Sequence, residues 1–61
     1  MPFHITALEL GFILNVSEHT ALRYMQEMRR ELGLPQKKLL KRRDVYNYFG
    51  IDEEAAKKVY I

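Results

Sequence analysis

At 61 residues the chain suffices for one compact domain, which at this size buries only about 60% of the surface its unfolded form exposes, and that argues against a roomy catalytic cleft. Hydrophobic residues at 48%, charged residues at 30% and few Gly or Pro fit a small globular unit and not a disordered or fibrous segment; the absence of Cys excludes a disulfide framework and a thiolate zinc site. Net charge is +2 but uneven, at −2 over residues 1–22, +6 over 23–43 and −2 over 44–61, so the middle third carries a field that suits a polyanion.

No apolar run approaches the roughly 20 residues of a membrane-spanning helix, and Met1-Pro2-Phe3-His4 lacks the basic start and long apolar middle of a signal peptide. The expectation is a soluble, cytoplasmic chain with no membrane partner. Along the chain, Ile5-Thr6-Ala7-Leu8-Glu9-Leu10 reads as a helix start. Thr6 is the N-cap, Glu9 three residues later completes a capping box, and Ile5 and Leu10 form a hydrophobic staple. A helix over 7–14 follows, ended by Asn15, which tolerates the left-handed backbone of a tight turn.

Ser17 caps a second helix, with Glu18 well placed against the dipole of its first turn. This helix is predicted over 18–32, about 22 Å long, with Ala21, Met25, Met28 and Leu32 as its inner stripe and Tyr24 on the border. Gly33 suits the position after it, Leu34 can fold back on the last turn, and Pro35 prevents continuation. Residues 36–38 form a short loop, and Leu39-Leu40 reads either as a small extended arm or as core filler. A third helix over 42–49 places Val45, Tyr48 and Phe49 on one side and stops at Gly50. Asp52 then caps a fourth over 53–60, with Ala56, Val59 and Tyr60 inward. The chain ends at Tyr60-Ile61 without a helix stop, as expected of a fragment or of a helix that runs on into a partner.

Laid over itself at an offset of 35, the sequence repeats by residue class: Glu9 meets Asp44, Leu10 meets Val45, Asn15 meets Gly50, Val16 meets Ile51, Ser17 meets Asp52 and Ala21 meets Ala56. Each half reads as a helix, a tight turn and a capped second helix, although any two capped helix pairs share much of that pattern.

The turn and spacing of the first half match a DNA-binding helix-turn-helix. Small Gly11 would let two helices approach, Asn15-Val16 would turn with Val16 inserted into the core, and Ala21 and Tyr24 would pack inward. The string Ser17-Glu18-His19-Thr20-Ala21-Leu22-Arg23-Tyr24 resembles the S-x-x-T-V-x-R-hydrophobic segment of bacterial and phage repressors. With the Gly33-Leu34-Pro35 ending it is also similar to MerR and excisionase-type proteins, though the helix is about a turn longer and Met25 stands where an aromatic residue is usual. The resemblance covers residues 5–35; the segment from Leu39 to Asp52 looks like the tail of small helix-turn-helix proteins of phages and mobile elements, with Lys41 in place of the usual Thr or Ser cap. It implies transcription regulation or recombination directionality.

Helical phase supplies a physical argument beside the resemblance. If Ala21, Met25, Met28 and Leu32 point inward, His19, Arg23, Gln26 and Arg30 repeat the same spacing on the outer face. In a major groove about 12 Å wide, the N-terminal half of a recognition helix meets base edges, which nominates His19, Leu22, Arg23 and Gln26. Arg suits guanine, Gln suits adenine and Leu a thymine methyl. Ser17 and Thr20, at a helix start rich in N–H groups, suit phosphate, and Arg29, Arg30, Lys37 and Lys38 would hold the backbone on either flank. The plainer alternative is a solvated polar face in which Arg23, Glu27 and Glu31 are i, i+4 partners. Glu18, Glu53 and Glu54 oppose close phosphate approach, so the C-terminal pair is expected to serve packing or dimer contacts.

Catalysis finds little support. Ser17 and His19 are two apart on one helix and cannot face each other, and Glu27 and Glu31 lie among arginines that keep them ionised. His4 and His19 have no partner at metal-ligand spacing, and His4 reads as a surface residue; no cofactor is implied. A rival reading is a protein-interaction module with an exposed patch of Leu22, Tyr46 and Tyr48. Over a short stretch Phe49-Gly50-Ile51 and the residues after it resemble the Gly loop and helix of ubiquitin-associated domains. The sequence therefore predicts a single all-α domain over 1–61, a compact three- to four-helix unit with a helix-turn-helix and two pseudo-repeated helix pairs. It is expected to be a non-enzymatic binder of double-stranded DNA, as a homodimer or within a larger nucleoprotein complex, since one small unit contacts few base pairs.

Overall fold

A computed structural model describes residues 4–60, apart from the side chains of residues 59 and 60. The described residues form four helices, α1 (Ala7–Leu14), α2 (Glu18–Glu31), α3 (Arg42–Phe49) and α4 (Glu53–Tyr60). The domain is all-α. The inward placement expected of Val59 and Tyr60 lies outside the described residues.

Each boundary has a local cause. Thr6 is extended and its hydroxyl accepts from Glu9 N at 3.1 Å, while Ile5 and Leu10 of the staple are both buried. Three helices end alike, on a residue with left-handed backbone: Asn15 at φ 58°, Gly33 at 69° and Gly50 at 68°. In each case the next N–H reaches back six residues along the chain, counting both ends: Val16 N to Gly11 O at 2.9 Å, Leu34 N to Arg29 O at 2.7 Å and Ile51 N to Tyr46 O at 2.8 Å. The apolar residue carrying that N–H, Val16, Leu34 or Ile51, thereby folds under its helix and packs on the core. This corrects the end of the inner stripe of α2. Leu32 is the C-cap and 53% exposed, and Leu34 takes the place under the last turn that the 3.6-residue period assigned to Leu32.

The offset of 35 is a structural repeat. α1 and α3 correspond end to end, α2 and α4 start at equivalent positions, and the pairs Ile5/Leu40, Leu10/Val45 and Ala21/Ala56 are all buried. Ile5 N donates to Leu40 O at 3.0 Å, and His4 and Lys41 form an antiparallel bridge, so the entries into α1 and α3 lie side by side. Leu40 is thus both arm and core filler, whereas Leu39 points outward. His4, expected on the surface, is half-buried against this bridge.

Glu9 departs from its expected capping role. Its backbone N–H is capped by Thr6, but its side chain, only 3% exposed, turns into the domain. Arg42 donates to it from both Nε and Nη2, and Tyr46 Oη donates to Glu9 Oε2 at 3.4 Å. Lys41 contributes no side-chain cap to α3; the strand-like bridge and this bidentate ion pair fix the helix start instead. They also set its roll. Val45 and Tyr46 are buried and Phe49 is half-buried, with Tyr48 outside and edge-on to Phe49 at a centroid distance of 4.9 Å. Tyr46, expected outside, is thus inside, and Tyr48, expected both beside Val45 and in the exposed patch, lies outside. The interaction patch of Leu22, Tyr46 and Tyr48 does not form, because Tyr46 is 5% exposed.

Arg42→Ala leaves a buried carboxylate without its ion-pair partner and is expected to destabilise the domain by about 3 to 5 kcal/mol, enough to unfold much of it, measured by urea denaturation. Burial first and the Glu9 carboxylate second hold the Tyr46 phenol above its ordinary pKa, with Arg42 pulling the other way. The folded state therefore binds that proton more tightly than the unfolded chain. The resulting stability is complete below the unfolded value, about 10, and is lost as pH rises through the folded value. Tyr46→Phe should remove this part of the alkaline loss in melting curves recorded above neutrality.

Candidate nucleic-acid interface

The Asn15-Val16-Ser17 turn sets α2 against α1. Gly11 is where the two meet: a Cβ there would stand 2.9 Å from Val16 O, so any side chain would force the turn away. Val16 packs on the core and Ser17, extended, opens α2 by accepting from Thr20 N at 3.1 Å. The Ser17 hydroxyl also donates to Thr20 Oγ1 at 3.0 Å. Its proton is thus held within the cap. With Thr20 N–H taken by Ser17, the first-turn N–H groups left at this helix start are those of exposed Glu18 and His19, beside the half-buried Thr20.

Ala21, Met25 and Met28 are buried, and the opposite row of α2 is exposed: His19, Leu22, Arg23, Gln26 and Arg30 all face solvent. Tyr24 sits on the border, half-buried, with its ring 6.2 Å from that of Phe49. Among the described residues no ion pair joins Arg23 to Glu27 or Glu27 to Arg30, so the arginines of this face are not held by their helical neighbours. Arg30 nevertheless shares a shallow concavity with Glu27, Glu31 and Tyr48, which places it in a more acidic setting than Arg23.

The basic middle third divides into structural and exposed cations. Arg42 is tied to Glu9, and that hydrogen bond raises its pKa further. Arg29, expected on a phosphate flank, is 8% exposed and donates from Nε to Lys38 O at 2.9 Å. It anchors the loop after α2 to the helix, because a buried guanidinium needs an acceptor and a loop carbonyl needs a donor. Arg23, Arg30, Lys37, Lys38, Lys41 and Arg43 remain exposed. By composition the run Lys37-Lys38-Leu39-Leu40-Lys41-Arg42-Arg43 suits phosphate binding and a solvated loop and helix start equally well; what separates Arg42 from Lys41 and Arg43 is helical phase, since Arg42 lies three and four residues before buried Val45 and Tyr46.

Among the described residues no group of three His, Asp or Glu gathers as metal ligands, and no helix is long and apolar enough to cross a membrane. No protein-family model, curated protein or solved structure matches this chain.

The two neighbouring arginines should separate cleanly. Arg29→Ala removes a charge-assisted hydrogen bond to a loop carbonyl and is expected to lower stability by about 1.5 to 3 kcal/mol, whereas Arg30→Ala should stay within about 0.5 kcal/mol of the parent. Chemical denaturation of both variants measures the difference.

Proposed function

We propose that the protein is a helix-turn-helix domain that binds duplex DNA, with α2 as the helix that enters the major groove. The observation that carries this reading is the outer row of α2. His19, Leu22, Arg23 and Gln26 lie exposed on its N-terminal half, and the helix itself is fixed by a capped turn against α1. A rigid helix presenting an arginine, an amide and an apolar contact has the chemistry needed to distinguish base edges.

Phosphate contacts fall to a smaller set than the sequence suggested. The first-turn N–H groups and Thr20 suit a phosphate at the start of α2, while Lys37 and Lys38 in the following loop, with Arg30, suit the flanks. Arg29 is not among them, and Ser17 acts through the cap. In this reading the domain performs no chemistry. It positions a larger complex on DNA, as a transcriptional regulator or a recombination directionality factor does.

Selection from a random duplex pool at two salt concentrations tests the proposal. Arg23→Ala should relax preference at one base position by about 1 to 3 kcal/mol while overall folding is unchanged. Lys37→Ala should weaken all sequences alike and flatten the dependence of log affinity on log salt by about one unit of slope. A pool that shows no enrichment even at low salt would falsify the reading.

A further inference from the structure

Three of the large apolar side chains left exposed, Leu32, Leu39 and Tyr48, surround one groove of about 390 Å³ between the end of α2, the following loop and α3. Its walls include Met28, Leu34 and Leu40, which are core or packed on the core. We propose that this groove is a homodimer interface, covered by a second copy of the chain across a two-fold axis.

A two-fold interface must be complementary to itself, each feature of the patch meeting a different feature of the same patch. This one carries both a projection and a recess. Leu39, 63% exposed, is the most exposed large apolar residue among those described, and it stands at the edge of the groove it helps to line. Across a two-fold axis, the Leu39 of each copy enters the groove of the other, so both leucines leave water in one contact.

The charges of the rim favour the same occupant. Lys38, Lys41 and Asp44 line the groove, and among the described residues neither Lys38 nor Asp44 has an ion-pair partner within its own copy. A wholly acidic segment would meet the carboxylate of Asp44, and a wholly basic one Lys38 and Lys41. A second copy supplies both signs, Asp44 to Lys38 and Lys38 to Asp44. The groove adjoins the C-terminal end of α2, about 15 Å by helical rise from Leu22, so its occupation leaves His19, Leu22, Arg23 and Gln26 accessible, while Lys38 is spent on the dimer and the flanking phosphate contacts fall to Lys37 and Arg30. The dimer goes beyond the DNA-binding reading and does not require it.

Sedimentation equilibrium of the full chain without DNA tests the proposal. The expected result is a reversible monomer–dimer equilibrium with a dissociation constant on the order of 10 to 100 µM, as suits a small interface. Leu39→Glu, at an exposed position that does not contribute to folding, should weaken it at least about 30-fold and leave the helical circular-dichroism signal unchanged. Lys38→Asp and Asp44→Lys each place like charges together and should each dissociate the dimer. An equimolar mixture of those two variants restores unlike pairs at both contacts and should associate again, an outcome that a merely local loss of structure does not produce. A wild-type chain that stays monomeric to about 1 mM, a Leu39→Glu dimer as tight as the parent, or a mixture no tighter than its components overturns the proposal. Titration of duplex DNA in parallel keeps the two readings apart: monomers that bind DNA sink only the dimer, and dimers that ignore it sink only the DNA reading.

Discussion

A carboxylate removed from water is the constraint around which the two halves of this chain are assembled. Glu9 lies at 3% exposure on α1, and the ion pair that neutralises it reaches outside its own helix pair. A buried charge without a counter-ion costs several kcal/mol, a large part of what a domain this small can hold in reserve. Its partner is Arg42, thirty-three residues later, at the first position of α3. Because the guanidinium binds in a two-pronged geometry, it fixes both the place and the roll of that helix. The roll sends Tyr46 inward and Tyr48 outward, which in turn decides which aromatic surface the molecule shows. The pair thus acts more through specificity than through net stability, since two desolvated ions gain little over an apolar contact of the same size.

A second device is the repeated helix ending. Asn15, Gly33 and Gly50 each adopt left-handed backbone, and each delivers the following apolar residue to the core. In a chain with few long-range contacts to draw on, this makes the turns themselves part of the hydrophobic interior. It also makes the orientation of α2 rigid, because the Val16 that leads into Ser17 is held from beneath while Gly11 leaves no slack above it. A helix held in this way can present side chains at fixed spacing, which a flexible loop cannot.

Much of this was written locally in the sequence and some of it was not. Thr6, Ser17, Gly33 and Gly50 act through their nearest neighbours, so the helix boundaries they set follow from residue chemistry alone, and the offset of 35 in residue class has its counterpart in equivalent helices. What escaped was long-range or nearly degenerate. Glu9 satisfies the spacing of a capping box whether or not its side chain turns back, and the choice depends on an arginine half the chain away. Lys41, Arg42 and Arg43 are indistinguishable as a run of charge until the phase of α3 is known. Leu32 and Leu34 compete for one place, and the backbone reversal at Gly33 decides between them. Arg29 looks like any basic residue near a helix end until the loop carbonyl of Lys38 lies beside it. The exposed row of α2 was legible as a row, because burial of Ala21, Met25 and Met28 implies it. What that row touches was not, since a reading surface and a wetted one obey the same period.

The internal repeat sharpens that last distinction. α2 and α4 start at equivalent positions after equivalent turns, and each opens with a side chain that accepts a first-turn N–H: Ser17 from Thr20, Asp52 from Glu54. Geometry therefore treats the two helix starts alike, and electrostatics does not. α4 begins with Asp52, Glu53 and Glu54, three carboxylates that complement its own dipole and repel an approaching phosphate. α2 begins with a neutral cap and one glutamate, and continues into Arg23 and Gln26. A polyanion meeting this molecule has two similar shapes to choose from and one acceptable field, so the repeat serves as an internal control in which backbone is held constant while charge is changed. The asymmetry leaves α2 as the one helix start of the two at which an anion is not met by three carboxylates. The C-terminal pair supplies Arg42 to the core and Asp44 and Tyr48 to the groove beside it.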